Sequence, residues 1–250
     1  MIERHPTFET PEGTQPLWRY TDLAKYLALL QSSKLHFTRV DKFDDQWEGE
    51  ISAPTKEWLN NFEKSLGNKS GTRSILFARH WKLTMFVNCW HESDYESLAM
   101  WRTYGSGGYN LAVITDVDGL TAAIEGAETP NIYCGRIKYI NYQRDRIPAG
   151  NNFAAFLRKR KGFEAEREVR LLIWDIPPSL KEGPTEKIVF DVTHKSGGID
   201  VPVKLKSLIK GVRVAPNTPD WLLTTIRGAT ERYGLSGGLV TRSEMDEVPT

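Results

Sequence analysis

Lys161-Gly162-Phe163-Glu164-Ala165-Glu166-Arg167-Glu168-Val169-Arg170, running straight into Leu171-Leu172-Ile173-Trp174, is the stretch whose reading decides the fold. As a β-strand, its period of two puts Glu166, Glu168 and Arg170 on one face and Ala165, Arg167 and Val169 on the other. Carboxylates roughly 7 Å apart along a strand repel unless a cation or a proton intervenes. Such a wall suits an ion-pair cluster, or a site that uses an acid and a base differently. As a helix, the same residues put Glu166 and Arg170 at i, i+4, an ordinary solvated ion pair. The run Val169 to Trp174 is rich in β-branched and aromatic residues and stops at Asp175 and Pro177-Pro178, which favours the strand.

Around this stretch the chain has 250 residues, 40% of them hydrophobic, enough to bury a substantial core in one large mixed domain or two small ones. The net charge of +1 selects neither an acidic nor a basic partner. Cys89 and Cys134 are the only cysteines and have no CxxC spacing, so a reducing compartment is expected. Met1 to Pro6 carries no apolar core of signal-peptide length, and no run approaches a membrane span. A cytoplasmic protein is expected.

Residues 1–15 are polar, with Pro6, Pro11 and Gly13, and read as a flexible arm before a single domain over residues 16–250. Leu17 to Tyr20 is a short strand candidate, and Thr21 is placed to cap a helix carrying Leu23, Tyr26, Leu27 and Leu30. Leu35 to Val40 alternates like a strand and ends in a turn-prone stretch up to Gly49, where Glu48 reads as a loop carboxylate. Trp58, Leu59, Phe62 and Leu66 mark an amphipathic helix, and the Asn, Lys, Ser and Gly of 67–71 a surface loop. Thr84 to Trp90 is a strong strand. Ser97 to Tyr104 reads as a helix stopped by Gly105, with Ser97, Trp101 and Tyr104 on one face.

Strands are expected over Tyr109 to Ile114 and Ile132 to Ile140, with a short helix near Asp118 between them. Asn151 or Asn152 caps a basic helix, Phe153 to Lys161, closed by Gly162. Glu186 to Val192, Gly198 to Leu205 and Gly211 to Ala215 add β signals. Pro219 opens a helix through Trp221, Leu222, Ile226 and Tyr233, and Leu239 to Arg242 returns as a last strand. Strands outnumber helices without alternating with them. The expectation is an α+β fold: one mixed domain around a strongly bent, largely antiparallel sheet.

Several chemistries are set aside. Gly105-Ser106-Gly107-Gly108 lacks the lysine and the following helix of a phosphate loop. Cys89 and His91 share a strand face, but no other Cys or His completes a recognisable ligand set, so no metal is expected. No G-x-S-x-G elbow occurs. The basic run Arg158 to Lys161 fits a favourable helix C-terminus better than a nucleic-acid contact.

The ordered set Leu17-Trp18-Arg19-Tyr20, Leu35-His36-Phe37, Phe43-Asp44-Asp45-Gln46-Trp47-Glu48, Cys89-Trp90-His91, Met100 to Tyr104, Phe163 to Arg170 and Val212 to Pro216 resembles the domain-of-unknown-function 2971 family of bacteria and phages. That resemblance covers roughly residues 17 to 243 and implies no activity. Where the family pattern has Asn-Asp-Pro-Phe-Glu, this chain has Asp44 to Glu48 as Asp-Asp-Gln-Trp-Glu.

A second, weaker resemblance is to the ADP-ribosyltransferases, which use NAD as substrate. They place an Arg or His on an early strand, aromatic or hydroxyl residues on a middle segment, and Glu-x-Glu on a late strand. Arg19, then Trp101 and Tyr104, then Glu166-x-Glu168 fall in that order. The resemblance implies an ADP-ribosyltransferase-like fold. It further implies that Glu168 stabilises the cation formed as the nicotinamide bond breaks and that Glu166 orients or deprotonates the acceptor, a protein or a nucleic acid. Arg19 would pair with the NAD phosphates, with Tyr20 beside it and Arg39 as its competitor. Trp101 or Tyr104 would stack on the nicotinamide, and Arg170 would keep both carboxylates ionised. A toxin or phage-defence setting follows from the same likeness. The leading alternative is a non-catalytic binding or regulatory module of phage or host defence, in which these Arg and Glu residues form a buried network.

Overall fold

A computed structural model describes residues 2–67, 81–104, 109–124, 131–175 and 197–249. These form a single mixed α+β domain around one large mixed sheet, without a closed barrel. Along the sheet the strands run β1 (Ile2–Glu3), β6 (Ile132–Arg136), β9 (Glu168–Trp174), β4 (Met85–Glu92), β2 (Leu17–Asp22), β5 (Asn110–Thr115), β11 (Gly211–Val214) and β12 (Val240–Thr241). Only the outermost pairings at the two ends, β1 with β6 and β11 with β12, are parallel. The expected largely antiparallel sheet is present.

The sheet forks at β4. On the side away from β9, the first half of β4 pairs with β3 (Lys34–Arg39), Phe86 opposite Arg39 and Val87 opposite Thr38. Its second half pairs with β2, His91 opposite Trp18 and Glu92 opposite Leu17. Between these ladders Asn88 spans the gap: its side-chain amide donates to the His36 carbonyl at 2.9 Å, and its oxygen accepts from the Trp90 indole at 2.7 Å. A side chain thus satisfies a carbonyl that the interrupted ladder leaves open. Edge strand β10 (Gly198–Pro202) completes the β3 arm.

Both faces of the sheet are covered, which is why Val169 to Trp174 is apolar at nearly every position. Val169, Leu171 and Ile173 pack with Phe86, Trp90, Leu111 and Val113 beneath α1 (Leu23–Ser32) and α6 (Asp220–Arg232). Leu172 faces the other way, with Met85, Val87, Phe156 and Leu157.

Several local expectations are corrected. Thr21 stays in β2, and Asp22 caps α1 by accepting from the Lys25 amide at 2.8 Å. Pro219 precedes α6 as its cap rather than opening it. On α2 (Ala53–Ser65) the apolar stripe does not turn wholly inward: Trp58 and Phe62 are exposed and stacked on each other, and Leu66, just beyond the helix, is exposed. The basic helix expected over Phe153 to Lys161 is absent. In its place stand a 3-10 turn (Ala154–Leu157), the short strand β8 (Arg158–Arg160) paired with β7 (Lys138–Ile140), and a second 3-10 turn (Lys161–Glu166). Alternation in β8 turns Lys159 inward while Arg160 stays outside, a choice that buried carboxylates enforce.

The N-terminal arm is docked rather than loose. Ile2 and Glu3 pair with Ile132 and Tyr133, the Arg136 amide donates to the Glu9 carbonyl at 2.8 Å, and the Thr10 hydroxyl donates to the Cys134 carbonyl at 2.8 Å. The expected strand over Glu186 to Val192 and the turn over Gly105 to Gly108 lie outside the described residues.

Candidate functional site

The fork opens a cleft of about 930 Å³, within the range of small-molecule sites. Its walls come from β2 (Trp18 to Thr21), β3 (His36, Thr38), β4 (Val87 to His91), one side of α1, and Tyr104 at the end of α3 (Leu98–Tyr104). Glu166 and Glu168 close one end. Because the strands separate here, residues from both sheet faces reach one cavity.

The acidic end is built around Arg170, which is wholly buried. Its Nε donates to Glu168 Oε1 at 2.6 Å, Nη2 to Glu48 Oε1 at 2.9 Å, and Nη1 to the Phe156 carbonyl at 2.8 Å. Lys159 enters from β8. Its ammonium donates to Glu166 Oε2 at 2.5 Å and Glu168 Oε2 at 3.1 Å, and lies 3.5 Å from Glu48. Three carboxylates thus surround two cations, an excess of one negative charge in a desolvated place. Glu166 faces the cleft, and its Oε1 accepts from the Tyr104 hydroxyl at 3.3 Å.

The ionisation follows from this packing. Burial alone would raise the Glu168 carboxyl, but Arg170 and then Lys159 outweigh it and hold the group at about 2. Burial would lower the Lys159 ammonium, and the facing carboxylates carry it the other way, above its ordinary value. Burial, with Glu166 next, raises the Tyr104 phenol. Glu168 is therefore a fixed anion at neutral pH, and Tyr104 a neutral hydroxyl.

Arg19 stands on another wall. Strand alternation sends it to the face opposite Tyr20, where its guanidinium lies 5.9 Å from the centre of the Trp90 ring. Among the described residues it has no carboxylate partner, and burial lowers its pKa. A half-buried guanidinium that faces the cleft with no anion among the described residues is a fitting place for a ligand oxyanion.

His91 and Cys89 project on the Glu168 side of β4. The Glu166 carbonyl can only accept, so His91 Nδ1 carries the proton of their 2.6 Å hydrogen bond, and Nε2 is buried with no hydrogen-bond partner among the described residues. Burial first lowers the His91 pKa, keeping the ring neutral. Cys89 lies against the Glu168 carboxylate. Burial, then Glu168, pushes its thiol well up, so it is not a thiolate nucleophile.

The expected site residues are thus only partly united. Glu166, Glu168, Tyr104, Tyr20 and Arg19 line the cleft. Glu166 does so from the 3-10 turn and not from the strand, because Arg167 takes a left-handed conformation (φ 40°) and β9 begins at Glu168. Trp101 does not line it. The Trp101 ring packs edge-on to Tyr20 at 4.8 Å, and its indole donates to Glu96 at 2.9 Å, so it is core beneath the cleft wall. Arg170 is sealed behind the carboxylates and can hold them but not a ligand. Arg39 is engaged by Asp41 at 2.5 Å. Glu48 is a buried partner of Arg170 rather than a loop carboxylate.

Lys159, His91, Cys89 and Asn88 were not singled out for these positions by sequence reasoning. The signal available was the shared face of Cys89 and His91, while three basic residues in a row give Lys159 no alternation to read. The chain matches no protein-family model, no curated protein and no solved structure.

Proposed function

We propose that the cleft binds NAD and that the protein is an ADP-ribosyltransferase-like enzyme, acting on a protein or nucleic-acid acceptor in a toxin or phage-defence setting. One observation carries the reading: a cleft of about 930 Å³ has an ionised carboxylate wall with a tyrosine at one part and, at another, an arginine that has no carboxylate partner among the described residues. NAD has that polarity, with a cationic pyridinium ring and a pyrophosphate.

In this reading Arg19 pairs with the pyrophosphate, and the nicotinamide ring lies against Tyr104. As the glycosidic bond breaks, its electron pair leaves with the nicotinamide nitrogen and neutralises the ring. The ribose carbon becomes an oxocarbenium-like cation. Glu168, already anionic and fixed by Arg170 and Lys159, stabilises that charge without reorganising. The acceptor's nucleophilic atom then bonds to the same carbon and gives its proton to Glu166.

A second reading is favoured by Arg170 being fully buried and by both Glu168 oxygens already accepting hydrogen bonds. Here the network is scaffold and the cleft belongs to a binding or regulatory module.

Incubation of the purified protein with NAD, following nicotinamide release, tests the first reading, with Glu166→Gln and Glu168→Gln as variants and cellular protein and nucleic acid as acceptors. Release that falls by two orders of magnitude or more in folded Glu168→Gln is expected. No release, and no rise in melting temperature with NAD, would leave the binding module.

A further inference from the structure

Among the described residues Lys159 is the one cation of the acidic end that touches all three carboxylates, and it comes from outside the sheet's main ladder. Its Nζ lies 2.5 Å from Glu166, 3.1 Å from Glu168 and 3.5 Å from Glu48. Glu168 and Glu48 have a second cation in Arg170, whereas among the described residues Glu166 has only Lys159. Glu166 sits on a turn, after which Arg167 turns the chain into β9. Nothing in the β9 ladder fixes its side chain. Without a cation between them, Glu166 would be driven from Glu168 toward solvent by like-charge repulsion.

We propose that Lys159 is a positioning residue: its ammonium draws Glu166 beside Glu168 and turns it onto Tyr104, so that the cleft meets its ligand with one rigid acidic wall. This deepens the reading of the cleft as a reaction site, and rests on that reading for its effect on turnover. The groups facing Lys159 and its carboxylates are Glu48, Glu166, Glu168 and Arg170, with Cys89 from β4, Tyr104 from α3 and Tyr139 from β7. None of the uncharged groups in that set can replace the ammonium at neutral pH. Arginine in its place keeps the charge but spreads it over a planar fork.

The test uses the full chain as wild type, Lys159→Met, Lys159→Arg and Glu166→Gln, with two readouts. The first needs no activity. NMR of the Tyr104 ring signals follows the contact with the Glu166 carboxylate, expected to be lost in Lys159→Met and kept in Lys159→Arg. A Glu166–Tyr104 contact that is unchanged in folded Lys159→Met overturns the proposal. Glu166→Gln, the change at the least buried member, gives a second arm: the Lys159 ammonium signals must shift and exchange faster, and unchanged signals overturn the proposal even if Lys159→Met does not fold. The second readout is nicotinamide release. In Lys159→Met kcat is expected to fall about tenfold or more with KM little changed, partly recovered in Lys159→Arg. A wild type that releases no nicotinamide defeats the transferase reading, while the NMR arms still decide the role of Lys159.

Discussion

Arg170 and Glu168, two residues apart on one face of β9, are joined by a 2.6 Å hydrogen bond from Nε to Oε1, with the guanidinium wholly buried. The same fork reaches Glu48 from a distant turn, so one arginine ties the late strand to the segment after β3. Glu168, which closes one end of the cleft and carries the proposed chemistry, is therefore also a structural residue. Its two roles are separable by measurement.

The cost of removing each charge should follow its surroundings. Arg170→Met leaves the buried carboxylates of Glu48 and Glu168, with Glu166 beside them, sharing one lysine, and is expected to cost about 3–5 kcal/mol or to prevent folding. Glu168→Gln keeps the size and one acceptor oxygen, so its cost should be smaller, though not negligible, because its amide nitrogen turns a donor toward Lys159 or Arg170. Glu166→Gln, at the cleft surface, should cost about 1 kcal/mol. Urea unfolding midpoints give the order directly, and a Glu166→Gln as costly as Arg170→Met would contradict the network described.

Acid should destabilise the protein in two stages. His91 has a folded pKa below its ordinary 6.5, because burial disfavours the imidazolium. The unfolded chain then binds the proton more readily, so this contribution is full above 6.5 and is lost as pH falls through the folded value. Glu168 is held at about 2 against 4.5 in the unfolded chain, so its contribution is full above 4.5 and lost as pH falls toward 2. Unfolding midpoints measured from about pH 8 downward should show both stages, the upper one missing in His91→Asn. A single stage in the wild type would mean that His91 is not held neutral.

The legible parts of the chain were those where local pattern and tertiary packing agree. Leu35 to Val40, Thr84 to Trp90 and Val169 to Trp174 alternate or run apolar because they lie in a sheet covered on both faces, and each became a strand. The pairing of Glu168 with Arg170 could be read from a period of two. Glu166 could not be placed correctly, since a non-glycine left-handed residue at Arg167 has no periodic signature. Lys159 was hidden because its basic neighbours make the run look solvated, although Lys159 is buried between half-buried Arg158 and exposed Arg160. The place of Trp101 in the cleft is implied by the ADP-ribosyltransferase resemblance, and helical spacing alone does not separate a cleft position from a core one. Which side of that helix meets the core is settled by Tyr20, whose hydroxyl accepts from the Ser97 amide at 2.7 Å and anchors the helix start.

Arg19 should be dispensable for folding and needed for anion binding. It has no carboxylate partner among the described residues, and keeping its guanidinium desolvated is itself a cost. Arg19→Met should leave the unfolding midpoint unchanged or raise it by up to about 1 kcal/mol in stability. The rise in melting temperature with NAD should shrink or vanish in the same protein. Loss of stability with full NAD response would show that Arg19 is a scaffold residue.

Trp101 and Tyr104, three residues apart on α3, should behave in opposite ways. Trp101 is buried against Tyr20, and its indole is one of the groups holding Glu96, which also accepts from the Ser243 hydroxyl at 2.8 Å. Trp101→Ala removes a large core side chain and should cost about 3–5 kcal/mol. Trp101→Phe should restore most of that packing. Tyr104 is 45% exposed and makes one 3.3 Å hydrogen bond to Glu166, so Tyr104→Phe should change stability by no more than about 1 kcal/mol. Its effect should appear in the cleft, as slower nicotinamide release and a smaller thermal response to NAD. The crossed result, with Trp101→Phe stable but blind to NAD and Tyr104→Phe fully responsive, would place the ligand against the helix core instead of the acidic wall, and would remove Glu166 from the reacting end.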